Sequence, residues 1–491
     1  MPGDALTILH LSDPQFGKNH VFGKRALPLA DGKHDTLLAR TLEDLALLKQ
    51  EWSGLAPDLI VMTGDLAEWG EEEEFQLAFD FLGGVAKEIL GIESAQRHRV
   101  AIIPGNHDVN RNLAEAEFAL WRARGKKGEP FGFLRWEHYA AAFQAFYNDV
   151  PDDLVEVPGL AEKVCLRPTF TKAASHSLFI VPEFKTVLAG LNSTLAECHL
   201  DAKNAKKLLG KDTIYGHHGW CGEDQYKHFA AKLSPFEAAD WLRVGLVHHN
   251  YVRGDTEDEE NLRDAAHLRD HLSSKLNLLL HGHTHVADRA ALPQGQPVLS
   301  TGSGALSQAQ RPYETPNQYQ VLRLSSDGVT AWMRAFDHHS RRWIPDARVG
   351  GEKSPGRLWL PHAFQKASAT LGKSKRHALD AAPTAGQTPA DSELPHRLDR
   401  ELKSERQEGV LASQLTQIAQ LRWPDCTTEW HETEPPYVSV VTDEDYGYRS
   451  FPIGLLRGSL SLEDVAQFDA QTSSYSWERW LVCDPKIQLA D

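Results

Sequence analysis

The chain reads as an α/β fold with a large parallel component and a smaller C-terminal domain, on three observations. First, short apolar runs recur without polar alternation: "LTILHL", "PDLIVM", "RVAII", "RVGLV" and "LNLLL". Runs of this kind belong to strands buried on both faces. Second, between the first two lies "HDTLLARTLEDLALLKQEW", with Leu38, Leu42, Leu45 and Leu48 at helical spacing. Strand, helix, strand is the βαβ unit of parallel sheets. Third, from Gly372 to about Leu394 the composition shifts to Ala, Pro, Thr, Gly and Ser, as in a linker. The expected domains are therefore 1–371, a linker over 372–396, and a small α+β domain over 397–491.

Bulk composition agrees. At 491 residues the chain exceeds one ordinary core, and 41% hydrophobic with 24% charged residues is the balance of a globular protein. A net charge of −16 gives no general attraction to nucleic acid or to an anionic membrane, though it leaves room for a local basic groove. The N-terminal "MPGDALTILHLSD" lacks a basic segment ahead of a long apolar core, and no apolar run approaches the ~18 residues of a membrane span. The five cysteines form no CxxC pair, which fits reduced thiols. A cytoplasmic protein without membrane contact is expected.

Each of the five strands runs into polar residues of one kind. The first ends at Asp13, the second at Asp65, the third at Asn106, His107 and Asp108. The fourth ends at His248 and His249, the fifth at His281, His283 and His285. Open α/β sheets bind ligands beyond the carboxyl ends of their strands, so these side chains should converge on one edge. Taken singly each is ordinary: a histidine after a strand is more often a hydrogen-bonded structural residue, and Gly-Asp is often a turn. Five in succession point to a site. A set of carboxylates, an amide and imidazoles without thiolate suits Mn²⁺, Fe or Zn²⁺. So many ligands are accommodated most economically by two divalent ions sharing a carboxylate, roughly 3.5–4 Å apart, and a neighbouring histidine could protonate a leaving group.

In order, Asp13-x-Gln15, Gly64-Asp65, Gly105-Asn106-His107-Asp108, His248 and Gly282-His283-x-His285 resemble the five signature blocks of calcineurin-like metallophosphoesterases. "LAGLNST" and "CGEDQYKHFAAKL" are similar to segments between the third and fourth blocks, and the resemblance spans roughly residues 5–345. It implies a metallophosphoesterase-type β-sandwich flanked by helices. It also implies one ion held by Asp13, Gln15, Asp65 and His285, and another held by Asp65, Asn106, His248 and His283. His248, first after its strand, is preferred to His249. His107 would be the catalytic imidazole, oriented by Asp108.

Two positions depart from the family pattern. The second block reads "GDLAE", where Glu68 keeps the charge of the usual aspartate. Gln15 stands where the family has a histidine ligand; its amide oxygen is a harder and weaker donor, which favours Mn²⁺ or Mg²⁺ over Zn²⁺.

A helical cap insertion is expected over about 111–180. Its cluster "ARGKKG" offers Arg124, Lys126 and Lys127 to a substrate phosphate. Its aromatics (Phe118, Trp121, Trp136, Phe143, Phe146) either cover the metals or pack on the sandwich. The histidines of "YGHHGW" follow no strand and are read as surface or cap residues, and "RGDTEDEENLRD" as a solvated acidic face. In the C-terminal domain Leu411, Leu415, Ile418 and Leu421 form one apolar stripe that needs a partner, within the domain or in another protein.

The predicted activity is hydrolysis of a phosphodiester, a nucleotide or similar, by a hydroxide bridging two divalent ions, Mn²⁺ foremost. A DNA or RNA nuclease on the same site is the second enzyme class, which the net charge disfavours. A catalytically weak scaffold acting through its C-terminal domain is the non-enzymatic one.

Overall fold

The computed structural model describes residues 5–22, 36–52, 55–157, 159–199, 202–210, 213–251, 261–350 and 354–362, and strands at 427–431, 437–444, 447–456 and 480–483. Two compact units divide the chain, Met1–Arg376 and His377–Asp491. The first half of unit one runs β1 (Leu6–Leu11), α1 (Leu37–Glu51), β2 (Leu59–Met62), α2 (Glu72–Val85), β3 (Val100–Ile102), α3 (Arg111–Ala123), α4 (Glu137–Tyr147). There follow β4 (Leu154–Val155), β5 (Val164–Cys165), β6 (Ser177–Val181), β7 (Thr186–Gly190), α5 (Ala202–Leu209), α6 (Glu223–Ala238), β8 (Leu242–Leu246) and α7 (Ala265–Leu272). The unit closes with β9 (Leu278–His281), β10 (Arg289–Ala291), β11 (Pro297–Ser300), β12 (Gln318–Ser325), β13 (Gly328–Asp337), β14 (Arg342–Pro345) and β15 (Arg357–Pro361).

Two sheets face one another. One has the order β14-β13-β12-β1-β2-β3 with β15 also on β13; the other is β10-β11-β9-β8-β7-β6. β1, β2 and β3 are parallel, as are β7, β8, β9 and β11. The absence of polar alternation in "LNLLL" has its cause here. Leu278 and Leu280 enter the core between the sheets with Ile8, Ile60 and Val244, whereas Leu279 packs with Phe229, Leu233 and Leu272 beneath α6 and α7. Both faces of the strand are therefore apolar. β12 and β13 form a hairpin closed around Ser-Ser-Asp-Gly.

α1 begins where Thr36 Oγ1 accepts the Ala39 N–H at 3.1 Å, a side-chain cap for an otherwise unpaired donor. Leu38, Leu45 and Leu48 bury its apolar stripe. Within that stripe Asp44 is also buried, because Arg334 on β13 grips it with two bonds: Nε to Oδ2 at 2.8 Å and Nη2 to Oδ1 at 2.5 Å. The Tyr319 hydroxyl donates to the same carboxylate.

The aromatic insertion differs from a cap. Tyr139, Phe143, Phe146 and Tyr147 of α4 lie in the main core with Phe170 and Phe179, and the Tyr147 hydroxyl donates to the Val100 carbonyl at 2.6 Å. Rings this large gain more by burial against β3 than by standing over a wet site. Outside that core, Ala114 of α3 and Phe131 form a small cluster with Cys198, and Val157 joins the cluster beneath α6 and α7.

In unit two, β16 (Thr427–His431), β17 (Tyr437–Glu444) and β18 (Gly447–Leu456) are antiparallel, and β19 (Trp480–Cys483) lies parallel to β18. The expected linker, the Leu411–Leu421 stripe and most of the acidic loop before Asn261 lie outside the described residues. Among those described, Cys165, Cys198 and Cys221 are free thiols, and no helix is long and apolar enough to cross a membrane.

Candidate metal centre

The carboxyl ends of β1, β2 and β3 from one sheet meet those of β8 and β9 from the other. The loops after β1 and β2 are zipped together: Asp13 N–H donates to Gly64 O, Gln15 N–H to Asp65 O and Phe16 N–H to Leu66 O, at 2.8–3.0 Å. Asp13, Gln15, Asp65, His283 and His285 all have left-handed backbone, with φ of 50°, 38°, 54°, 71° and 57°. Such backbone is unfavourable for residues with a Cβ and concentrates at functional sites. The glycines make this crowding possible. A Cβ on Gly64, itself at φ 97°, would lie 2.6 Å from His248 Nδ1, and one on Gly105 would collide with Asp65 Oδ1.

The side chains form two groups that share one carboxylate. Asp13, Asp65 and His285 make one; Asp65, His248 and His283 make the other. His285 Nε2 is 3.3 Å from Asp13 Oδ1, and His248 Nε2 is 3.4 Å from Asp65 Oδ1 and 3.0 Å from Asn106 Oδ1. His283 Nδ1 lies 3.2 Å from His248 Nε2. Gln15 presents its amide nitrogen, which donates to Asp65 Oδ2 at 3.1 Å.

Three imidazoles are oriented in the same way. The Nδ1–H of His248 donates to Thr63 O at 2.6 Å, that of His285 to Gln310 O at 3.0 Å, and that of His107 to Glu68 O at 2.8 Å. A carbonyl only accepts, so each Nδ1 carries the proton and each Nε2 is turned to the site, the outer hydrogen bonding usual for metal-binding histidines.

The expected partner of His107 is thus corrected. Asp108 does not orient the ring. Its Oδ1 accepts the Ala67 N–H at 2.9 Å and its Oδ2 the Gly105 N–H at 2.8 Å, tying the second block to the third. Those backbone donors are buried and require an acceptor, so the carboxylate is spent on them. Glu68 is likewise committed, holding Asn19 through its backbone N–H at 2.8 Å and its amide at 2.7 Å.

Electrostatics separates the two aspartates. Burial works against ionisation of Asp65, yet His248, His107 and His283 hold it well below the usual carboxylate range. For Asp108 burial, reinforced by the Asp65 charge, pushes the pKa well above that range. His248 is disfavoured as a cation by its burial, but Asp65 raises it to about 9. A cation and protons therefore compete for the same carboxylate-imidazole cluster, and binding an ion releases protons. The donor set fits divalent cations. Asp13 Oδ1 is buried without a hydrogen bond, beside an imidazole nitrogen directed inward.

Beside the cluster opens a cleft of about 300 Å³ whose walls include Asn106, His107, Trp69, Arg111, His199 and His217. Arg111 sits over the Trp69 ring at 4.9 Å, and Trp69 is 46% exposed. Arg124, Lys126 and Lys127 are absent from these walls; they are exposed on the turn after α3. The helix starts at Arg111 and runs outward for 13 residues, about 20 Å, which removes its C-terminal cations from the cleft. The histidines of "YGHHGW" are also reassigned: His217 lines the cleft and His218 is buried. His249 is buried too, with Nδ1 2.7 Å from Ser193 Oγ. No spacing in the sequence signals Arg111 or His217, since loops rather than strands deliver them.

Parallel strand ends deliver carboxylates and imidazoles to a shared edge, which defines a protein of the divalent-cation-binding class. Residues 6–287 match the family model of calcineurin-like phosphoesterases, and the chain belongs to that family. Residues 408–484 match a second model, described as NACHT-associated inactive restriction endonuclease 2. Among solved structures, a dimetal phosphatase from Danio rerio aligns at 11% identity and a TM-score of 0.37, over 69% of this chain and 98% of its own. PhoD aligns at 12% identity and a TM-score of 0.38, over 68% of this chain and 67% of its own. Vps29 from Entamoeba histolytica complexed with zinc aligns at 10% identity and a TM-score of 0.27, over 73% of this chain and all 100% of its own. No curated protein matches.

Proposed function

We infer that the chain is a phosphodiesterase acting on a nucleotide-sized substrate with two divalent ions, Mn²⁺ foremost. The observation that carries this is the sharing of Asp65 by two ligand groups directly beside His107. Asp13, Asp65 and His285 would hold one ion with Gln15 alongside, and Asp65, Asn106, His248 and His283 the other. Bound there, the ions supply Lewis acidity, activating a water and drawing charge from the phosphoryl oxygens. His107, with Nδ1–H held by the Glu68 carbonyl, directs Nε2 to the cleft; in its doubly protonated form it gives the Nε2 proton to the departing alkoxide oxygen and is left as the neutral ring. Asp108 serves by holding the loop that carries His107.

The preference for a diester rests on the cleft. An exposed Trp69 with Arg111 stacked on it offers a planar face and a cation to the second ester group, which a monoester lacks. A net charge of −16 weighs against a nucleic-acid polymer as substrate. The description of the model matched by residues 408–484 as inactive and NACHT-associated supports a reading of the C-terminal unit as one that contacts a protein partner or another copy.

The test is hydrolysis of bis(p-nitrophenyl) phosphate against p-nitrophenyl phosphate by the Mn²⁺-loaded chain. A kcat/KM higher for the diester is expected. A preference for the monoester would refute diesterase action while leaving the family intact.

A further inference from the structure

A second carboxylate-imidazole group faces the same cleft. Glu197, in the turn after β7, has a fully buried side chain. Its Oε1 accepts the His199 backbone N–H at 2.6 Å, and its Oε2 accepts from His217 Nδ1 at 2.7 Å.

His199 is held from its far side. Its Nε2 donates to the Val109 carbonyl at 2.8 Å. In the neutral ring that assignment leaves Nδ1 as a lone pair, and Nδ1 lies 3.5 Å from Glu197 Oε1. Two electron-rich atoms at the edge of a cleft repel one another, and a positive charge beside both would relieve that repulsion. The His199 backbone is left-handed at φ 55°, as are those of Asp13, Asp65, His283 and His285.

We propose that Glu197, His199 and His217 form a separate cation site, suited to Zn²⁺, that opens into the substrate cleft. One ligand atom from each residue lies within 4.8 Å of the others, close enough to meet on a single ion. Two imidazoles and one carboxylate are the protein ligands of an open zinc site, which keeps a fourth position for water or an anionic oxygen. The bond from His199 Nε2 to Val109 is the outer contact that fixes ring and tautomer in such sites. His199 and His217 share the cleft wall with His107 and Arg111, so the open position faces the space a substrate would occupy. Its ligand is an anionic group at the end of the substrate remote from the reacting phosphorus. A third group, Glu223, His267 and His271, meets the same spacing but has an exposed carboxylate, and it serves as the control.

The test strips the full chain with chelator, dialyses it against buffered Zn²⁺ and counts bound metal by mass spectrometry. His217 is 36% exposed, so His217→Ala leaves the core closed. The variant should bind about one ion fewer per chain than the wild type, with circular dichroism of the metal-free proteins showing that both are folded. His271→Ala should not reproduce that loss. His217→Gln keeps a polar side chain of similar reach without the imidazole, should show the same deficit, and replaces the alanine variant if that one fails to fold. Equal zinc content in wild type and His217 variants would overturn the proposal. Asp65→Asn separates it from the phosphodiesterase reading. If Asp65→Asn leaves the zinc count unchanged while His217→Ala lowers it, the Asp65 centre is misassigned and this site stands.

Discussion

The amide nitrogen of Gln15 donates to Asp65 Oδ2 at 3.1 Å, while Oδ1 of the same carboxylate accepts the His107 backbone N–H at 2.8 Å. The residue that departs from the family pattern is therefore in direct contact with the carboxylate shared by both ligand groups. A donor in this position favours the ionised form of Asp65 and steadies its orientation, which a weak ligand can do even when it binds metal poorly.

Replacing it tests which role dominates. Gln15→His offers an imidazole nitrogen in place of an amide, and metal affinity of the group formed by Asp13, Asp65 and His285 should rise roughly tenfold. Competition with a chromophoric chelator measures this. An unchanged affinity would mean that position 15 acts on Asp65 alone.

The clamp between α1 and the first sheet should be costly to break from one side. Arg334→Ala strands the buried Asp44 carboxylate, which is expected to cost about 3–5 kcal/mol of unfolding free energy. The double replacement Asp44→Leu with Arg334→Met removes both charges and should recover most of that loss. Urea denaturation of the three proteins gives the comparison, and a milder single variant than double variant would contradict it.

Acid sensitivity should arise in part from His10, a buried histidine in β1. Gln320 Nε2 donates to its Nδ1 at 2.8 Å, and its Nε2 lies 3.0 Å from Thr63 Oγ1, so the ring is a neutral tautomer fully used. Burial, with a lesser contribution from His281, lowers its pKa from 6.5 to about 3. The unfolded chain then takes up a proton below pH 6.5 that the folded chain refuses. Stability falls as pH drops from 6.5 towards 3, by up to about 1.4 kcal/mol per pH unit from this residue. His10→Asn should flatten the dependence of stability on pH over that window, and an unaltered slope would show that His10 is not its source.

The main cluster was legible in the sequence because each of its residues directly follows a buried strand, and strand ends are fixed in space by the sheet. Asp13, Asp65, Asn106, His248, His283 and His285 are brought together in this way. What the sequence did not disclose depends on loops and on helix direction. Arg111 lies at the cleft because α3 begins there, while the more conspicuous Arg124, Lys126 and Lys127 are carried outward by the same helix. His217 meets Glu197 only after the chain has returned through α5, so no spacing marks the pair. Asp108 has a partner other than His107 because buried backbone N–H groups, invisible as a motif, outcompete the imidazole for its oxygens. Aromatic residues of α4 were ambiguous between cap and core, and the area they bury decides for the core.

The proposed activity depends on Asp65 as the carboxylate common to two metal ions. Its most direct test is the Mn²⁺ content and bis(p-nitrophenyl) phosphate turnover of chelator-stripped wild type and Asp65→Asn, measured side by side before and after metal is restored. The stripped wild type should be inactive and recover both metal and turnover, whereas Asp65→Asn should recover neither. An Asp65→Asn protein that binds Mn²⁺ and turns over like the wild type would contradict the shared-carboxylate centre.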